Sequence, residues 1–213
     1  MKKLLFAVCA LAAISLLAPD AGFAQWENRI GMYTTADAAA AELPSPALFT
    51  PVSIYFVVSN PEFADGSPVA NIDAFEFKVV ANPASGWFKL SETKPTGTID
   101  VGVVDTGAGT YEYIAGWPAP LPVVNGMVKV MDWSVMFQSA NPVFFSLAPI
   151  TSTTPSVAGM LAVNYTESGG GGATLIGCMP SSAGGFADPV FAAFGTTTPV
   201  ESETFGGVKA LFR

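Results

Sequence analysis

The chain has 213 residues, of which half are hydrophobic and 12% charged, with nine Lys and Arg against 17 Asp and Glu for a formal charge of −8. So few and such scattered basic residues exclude the clustered positive footprint that a nucleic acid or an anionic membrane surface requires. No His occurs anywhere, which removes Ser-His-Asp and Cys-His nucleophiles together with the commonest transition-metal ligand.

In chain order, Lys2-Lys3, the 14-residue apolar run 4–17 and the small-residue stretch Ala21-Gly22-Phe23-Ala24 read as a secretion signal cleaved near Ala24-Gln25. The apolar run is too short to span a bilayer, so the expected location is extracellular or periplasmic, with no transmembrane segment in the mature chain. Residues 25–213 then form one domain. Losing Lys2, Lys3 and Asp20 leaves seven basic and 16 acidic side chains, a balance of −9. Cys9 is lost too, so Cys178 is the only mature cysteine and neither an internal disulfide nor a Cys-based zinc site is available. In the run Thr174-Leu175-Ile176-Gly177-Cys178-Met179 it reads as a small buried apolar group.

Residues 30–34 read as a first strand, and the alanine-rich segment 36–43 after Thr34-Thr35 as a short helix. Val52, Ile54, Phe56 and Val58 alternate along a strand, as do Phe75, Phe77 and Val79 against Glu76 and Lys78. Further strands are expected at 87–91, 98–104, 110–115, 127–137, 143–147, 159–164, 173–179 and 189–194. The strand at 127–137 is apolar on both faces and therefore reads as central. Between them stand Asn60-Pro61, Asp65-Gly66-Ser67-Pro68, Asn82-Pro83, Pro95-Thr96-Gly97, Asn125-Gly126 and Asn141-Pro142, all turn formers. The Trp117-to-Pro122 stretch reads as an extended polyproline-like loop, and Ser168-Gly169-Gly170-Gly171-Gly172 as a flexible surface loop. The end, 203–213, places Phe205, Val208 and Phe212 at helical spacing, although Gly206-Gly207 suits an edge strand better. Many short strands, regular turns and little helix indicate an all-β chain, one β-sandwich of roughly nine to eleven strands.

Three constellations carry chemistry. Val103-Val104-Asp105-Thr106-Gly107-Ala108 resembles the active-site signature of retropepsin-type aspartic proteases, with Leu175-Ile176-Gly177 in the place of the apolar-apolar-Gly segment behind it. That resemblance implies a homodimer sharing Asp105, with Thr106 and Gly107 completing each half; the same residues also read as a Gly-rich hairpin turn. Asn60, Glu62, Asp65 and Asp73 surround one loop as candidate oxygen ligands for a structural Ca²⁺, or as a solvated acidic turn. Trp87, Trp117, Tyr111 and Tyr113 are candidates for an aromatic platform under a sugar ring, or for core packing.

Across the mature chain, Ile30-Gly31-Met32-Tyr33, Phe49-Thr50-Pro51-Val52, Val58-Ser59-Asn60-Pro61, the strand Ala74 through Val79 and the ending from Thr204 to Arg213 together resemble a loosely defined group of secreted bacterial β-sandwich proteins. The Asn-Pro turn followed by Phe75-Glu76-Phe77 is similar to the early strands of cohesin-like and immunoglobulin-like modules, without the cysteine and tryptophan core signature of true immunoglobulin domains; a jelly-roll is the other arrangement of such strands. The resemblance implies a non-catalytic structural or binding protein outside the cytoplasm. Its expected partner is a protein or a glycan, or another copy of itself, and no cofactor is expected beyond the Ca²⁺ alternative. A carbohydrate-binding module and the Asp105 protease are the alternative functions.

Overall fold

A computed structural model of the chain describes residues 27–167, 172–182 and 184–197. The secretion signal and the segment 203–213 lie outside the described residues, as does the Gly-rich loop apart from Gly172. Strands β1 (Arg29–Tyr33), β3 (Pro51–Ser59), β9 (Met127–Phe137) and β5 (Trp87–Thr93) form an antiparallel front sheet in the order β1-β3-β9-β5. The back sheet centres on the 12-residue β4 (Asn71–Asn82), which pairs along one edge with β8 (Thr110–Pro122). Its other edge is shared by β11 (Leu161–Thr166) at one end and β10 (Val143–Ala148) at the other. β12 (Ala173–Pro180) flanks β11, while β13 (Phe191–Ala193) and β2 (Glu42–Leu43) extend from β10. Two two-residue strands, β6 (Ile99–Asp100) and β7 (Val104–Asp105), edge β8.

The result is a β-sandwich whose two long sides close differently. On one side β12 runs antiparallel to β11 and then pairs in parallel with β1, Met179 opposite Arg29 and Pro180 opposite Ile30, so backbone joins the sheets. On the other side β5 faces β6 and β8 with no shared ladder, and side chains close the gap.

The inward positions of both sheets are large and apolar because the alternation seen in sequence is real at the two-residue strand period. Phe56, Trp133 and Trp87 from the front meet Phe77, Tyr113 and Phe145 from the back. Ring centroids lie 5.5 Å apart for Phe56–Phe77 and 4.9 Å for Trp87–Phe145. Each such pair adds about 1 kcal/mol beyond the area it buries. β9 lies between β3 and β5, as expected of a strand apolar on both faces.

Three expectations need correction. Segment 36–43 is no helix: Ala38 has φ of 57°, Thr34 N–H bonds to Ala40 O at 2.8 Å, and Glu42–Leu43 pairs in parallel with Ala192 and Ala193. Tertiary pairing outweighs the helix propensity of alanine, a weak prior over so few residues. The strand at 98–104 is broken around Gly102. The proline stretch is no free loop, since β8 continues to Pro122 with Leu121 opposite Ile72 and Pro122 opposite Asn71. A register shift between Ile72 and Ala74 lets Pro118 and Pro120 sit where no ladder N–H is required.

Candidate functional site

The sequence-derived candidates land in different places. Asp105 sits on an exposed hairpin between β7 and β8, pairs with Thr110, and accepts the Ala108 N–H on Oδ1 at 3.0 Å. Thr106 and Gly107 are exposed beside it. Leu175-Ile176-Gly177 lies in β12, separated from β7 across the ladder by β8, β4 and β11, so it cannot pack behind Asp105.

The proposed calcium ligands are not brought together: Glu62, Asp65 and Asp73 form no group able to hold a metal among the described residues. Asp65 Oδ1 instead accepts Ser67 N–H at 3.0 Å and Ser67 Oγ–H at 2.6 Å, and Asp73 Oδ1 accepts Asn164 Nδ2–H at 2.7 Å. Asn60 ends its strand with φ of 45°. The aromatic platform is also corrected, because Trp87, Trp117, Tyr111 and Tyr113 are all core residues, no more than 6% exposed. Rings buried to this degree offer no surface to a sugar. Cys178 is fully buried and free, and burial pushes its thiol up to about 12.

The side chains that close the open edge form a charged clasp. Lys89 from β5 donates to Glu92 Oε2 at 2.7 Å and to Tyr113 Oη at 3.1 Å, and lies over the Tyr111 and Trp133 rings. Lys94 bridges Glu92 and Asp100, the latter at 2.7 Å. Tyr113 donates to Glu92 Oε2 at 2.7 Å and accepts from Trp133 Nε1 at 3.0 Å. Burial pushes the Glu92 carboxyl up, but the two lysines and the phenol outweigh it and bring it down to about 2. Burial, then the Glu92 charge, raises the Tyr113 phenol. Each side chain of the cluster is hydrogen-bonded to another member, so the cluster is a fastener between the sheets.

A second arrangement was invisible in sequence. The segment 149–160 crosses the outer face of the back sheet as a strap pinned by two buried carboxylates. Glu112 Oε1 accepts Thr151 N–H at 2.8 Å and Thr151 Oγ1–H at 2.6 Å, and its Oε2 accepts Ser152 N–H at 2.9 Å. Glu76 accepts Ser156 N–H at 2.8 Å and Ser156 Oγ–H at 2.7 Å. Burial pushes Glu112 up, and the hydroxyl and backbone donors of Ser152 and Thr151 overcome it, leaving the carboxyl at about 2.

Beside this strap the cross-strand register lines up Ile99, Gly116, Ala74, Asn164 and Leu175, one from each of five neighbouring strands. Directly opposite residues share a face, and Gly116, Ala74, Asn164 and Leu175 of this row line a trough of about 160 Å³. Its floor is Ala74, Gly116 and Ala162; Ile114, Leu175, Asn164 and Ser156 surround it. Leu175 in its wall is 52% exposed, and Ile99, 73% exposed, continues the row beyond Gly116 outside the lining. Val101, also largely exposed, bonds through its N–H to Ile114 O beside that wall. A Cβ placed on Gly116 would meet Ala74 Cβ at 3.6 Å and Asp73 O at 3.7 Å, ordinary contact distances. The fold therefore has no steric need of glycine there, although glycine inside a strand costs about 0.5–1 kcal/mol. The alternation signal could have flagged Ile99, Val101 and Leu175 as outward apolar residues; their convergence needs the register.

No protein-family model matches the chain, and no curated protein matches it significantly. Among solved structures it is similar to cohesin modules. One, from a family 33 glycoside hydrolase of Clostridium perfringens, aligns with a TM-score of 0.42 and 6% identity over 72% of this chain and 98% of that one. The sixth cohesin of Acetivibrio cellulolyticus scaffoldin B, solved in complex with a dockerin, gives 0.44 and 10% over 73% and 94%. A type II cohesin domain from the cellulosome of the same organism gives 0.44 and 10% over 71% and 95%.

Proposed function

We propose that this chain is a non-catalytic binding module that works outside the cytoplasm, and that the trough beside the 149–160 strap is its binding surface. The observation that carries this reading is the trough in which exposed Leu175 stands beside a floor of Ala74, Gly116 and Ala162, brought together by the register of β8, β4, β11 and β12. Contiguous exposed apolar surface rimmed by polar groups is what a recognition site presents to water. The engaged carboxylates support the non-catalytic part: Glu92, Glu76 and Glu112 each hold structural donors in place. Outside the cytoplasm is the compartment that the Lys2-Lys3 segment with its following apolar run implies.

Amide-shift mapping on the ¹⁵N-labelled protein with small neutral apolar probes tests the surface. The expected result is a set of saturable shifts at Ala74, Gly116, Ala162, Asn164 and Leu175. Shifts confined to other strands would reject the trough.

A further inference from the structure

We infer that the trough takes a polypeptide partner which inserts one large apolar side chain carrying Lys or Arg beside it; this rests on the trough being the binding surface. Size comes first. A space of about 160 Å³ is well below the roughly 300–1,000 Å³ of pockets that enclose whole small molecules, and apolar cavities of about 150 Å³ admit a benzene ring. The trough thus accommodates a phenyl or branched aliphatic group while the chain bearing it stays outside.

Chemistry then separates a peptide from a sugar. The side-chain donors lining the trough are already engaged: Ser156 Oγ with Glu76, and Asn164 Nδ2 with Asp73 Oδ1 and with Thr166 Oγ1 at 3.2 Å. A ring of hydroxyls laid on Ala74, Gly116 and Ala162 would exchange water for an apolar floor and find the lining donors occupied, at a cost of about 1–3 kcal/mol for each group left unsatisfied. An apolar side chain loses nothing there.

Charge complementarity sets the flanks. The lining contains one ionisable side chain, Glu76, with Asp73 at the rim through Asn164, and no Lys or Arg. The nearest lysine along β4, Lys78, is occupied outside the trough, 3.0 Å from Thr151 Oγ1 and 3.9 Å from Glu112 Oε1. The whole chain carries −8. A cationic flank is drawn to this surface and an anionic one is repelled.

The experiment is an amide-shift titration with two peptides, acetyl-Lys-Phe-Lys-amide and acetyl-Glu-Phe-Glu-amide, at about 0.01 M and about 1 M salt, where the screening length falls from about 30 Å to about 3 Å. The basic peptide is expected to bind at least about fivefold tighter at low salt, with the margin closing at high salt, as screening of a surface charge requires. Gly116→Val, whose Cβ the strand admits at ordinary contact distances, and Leu175→Ala at an exposed wall should each weaken the basic peptide by at least about threefold with the circular dichroism spectrum unchanged, as expected when an apolar contact is blocked or removed. Equal affinity for both peptides, with shifts at the trough, overturns the cationic partner and leaves the binding surface standing. Failure of both peptides to shift trough amides overturns partner and surface together, and so does unchanged affinity in both variants.

Discussion

Glu92 is the side chain on which the open edge of the sandwich depends. It is the common acceptor for Lys89, Lys94 and Tyr113, and these three come from β5, the turn after it and β8. A carboxyl held at about 2 when folded, against 4.5 ordinarily, binds its proton more weakly in the native state. Its stabilisation is therefore complete above pH 4.5 and is lost as pH falls from there toward 2. Glu112, also at about 2, acts in the same window and the same direction. Glu92→Gln is expected to cost about 2 kcal/mol at neutral pH, less than a fully buried pair because the site is partly open to water. It should also flatten the decline in urea midpoint between pH 4.5 and 2 relative to the parent protein. Equal acid sensitivity in parent and variant would assign that decline elsewhere.

At the level of elements, the back-sheet edge is kept short by one glycine. Asp100 Oδ1 takes both the Gly102 N–H at 2.9 Å and the Ile114 N–H at 3.1 Å, replacing regular ladder bonds. Gly102 also packs so close to β8 that a Cβ would stand 1.9 Å from Glu112 O, a backbone atom unable to yield. Interrupting an edge into two-residue strands is a recognised defence against unwanted pairing. Gly102→Ala should push the 99–105 edge off β8 and destabilise the protein by about 2 kcal/mol or more. A deuterium-exchange experiment should find faster exchange at the Glu112 and Ile114 amides, and unchanged protection there would refute the steric account. The same segment marks the boundary of what periodicity reveals. Val101 and Val103 suit one strand from 98 to 104, and nothing local announces that Gly102 must sit against a neighbouring carbonyl. By contrast the bounds of 127–137 were legible to the residue, although its outer face carries Lys129, Asp132, Ser134 and Met136, and a register shift opposite Phe56 and Val57 is what puts Val128 and Val130 in the core with Met131, Trp133 and Val135.

For the whole molecule, a single cluster of buried residues runs from Ile30 to Ala193 and draws on both sheets. β12 ties the sheets through backbone on one side and the Lys89–Glu92–Lys94–Asp100 clasp ties them on the other. Neither sheet can separate without exposing Phe56, Phe77, Trp133 and Phe145 together. One cooperative unfolding transition follows, with far-UV circular dichroism and the fluorescence of buried Trp87, Trp117 and Trp133 changing at the same urea concentration. Two separated midpoints would mean that one sheet survives the other.

Residue order alone determined that the chain is a β-sandwich with a large apolar core, because two-residue alternation and turn formers are properties of neighbours along the chain. It also determined that Cys178 would be buried and that no histidine chemistry is available. Tertiary structure decided which outward residues matter. Trp87, Trp117, Tyr111 and Tyr113 were candidate ligand contacts until the packing of one sheet on the other placed them inside. Ile99, Gly116, Ala74, Asn164 and Leu175 carried no common signal until strand register brought them into one row. A period of two tells each side chain which face it takes, but which strands lie side by side, and in what register, depends on contacts between residues far apart in the chain.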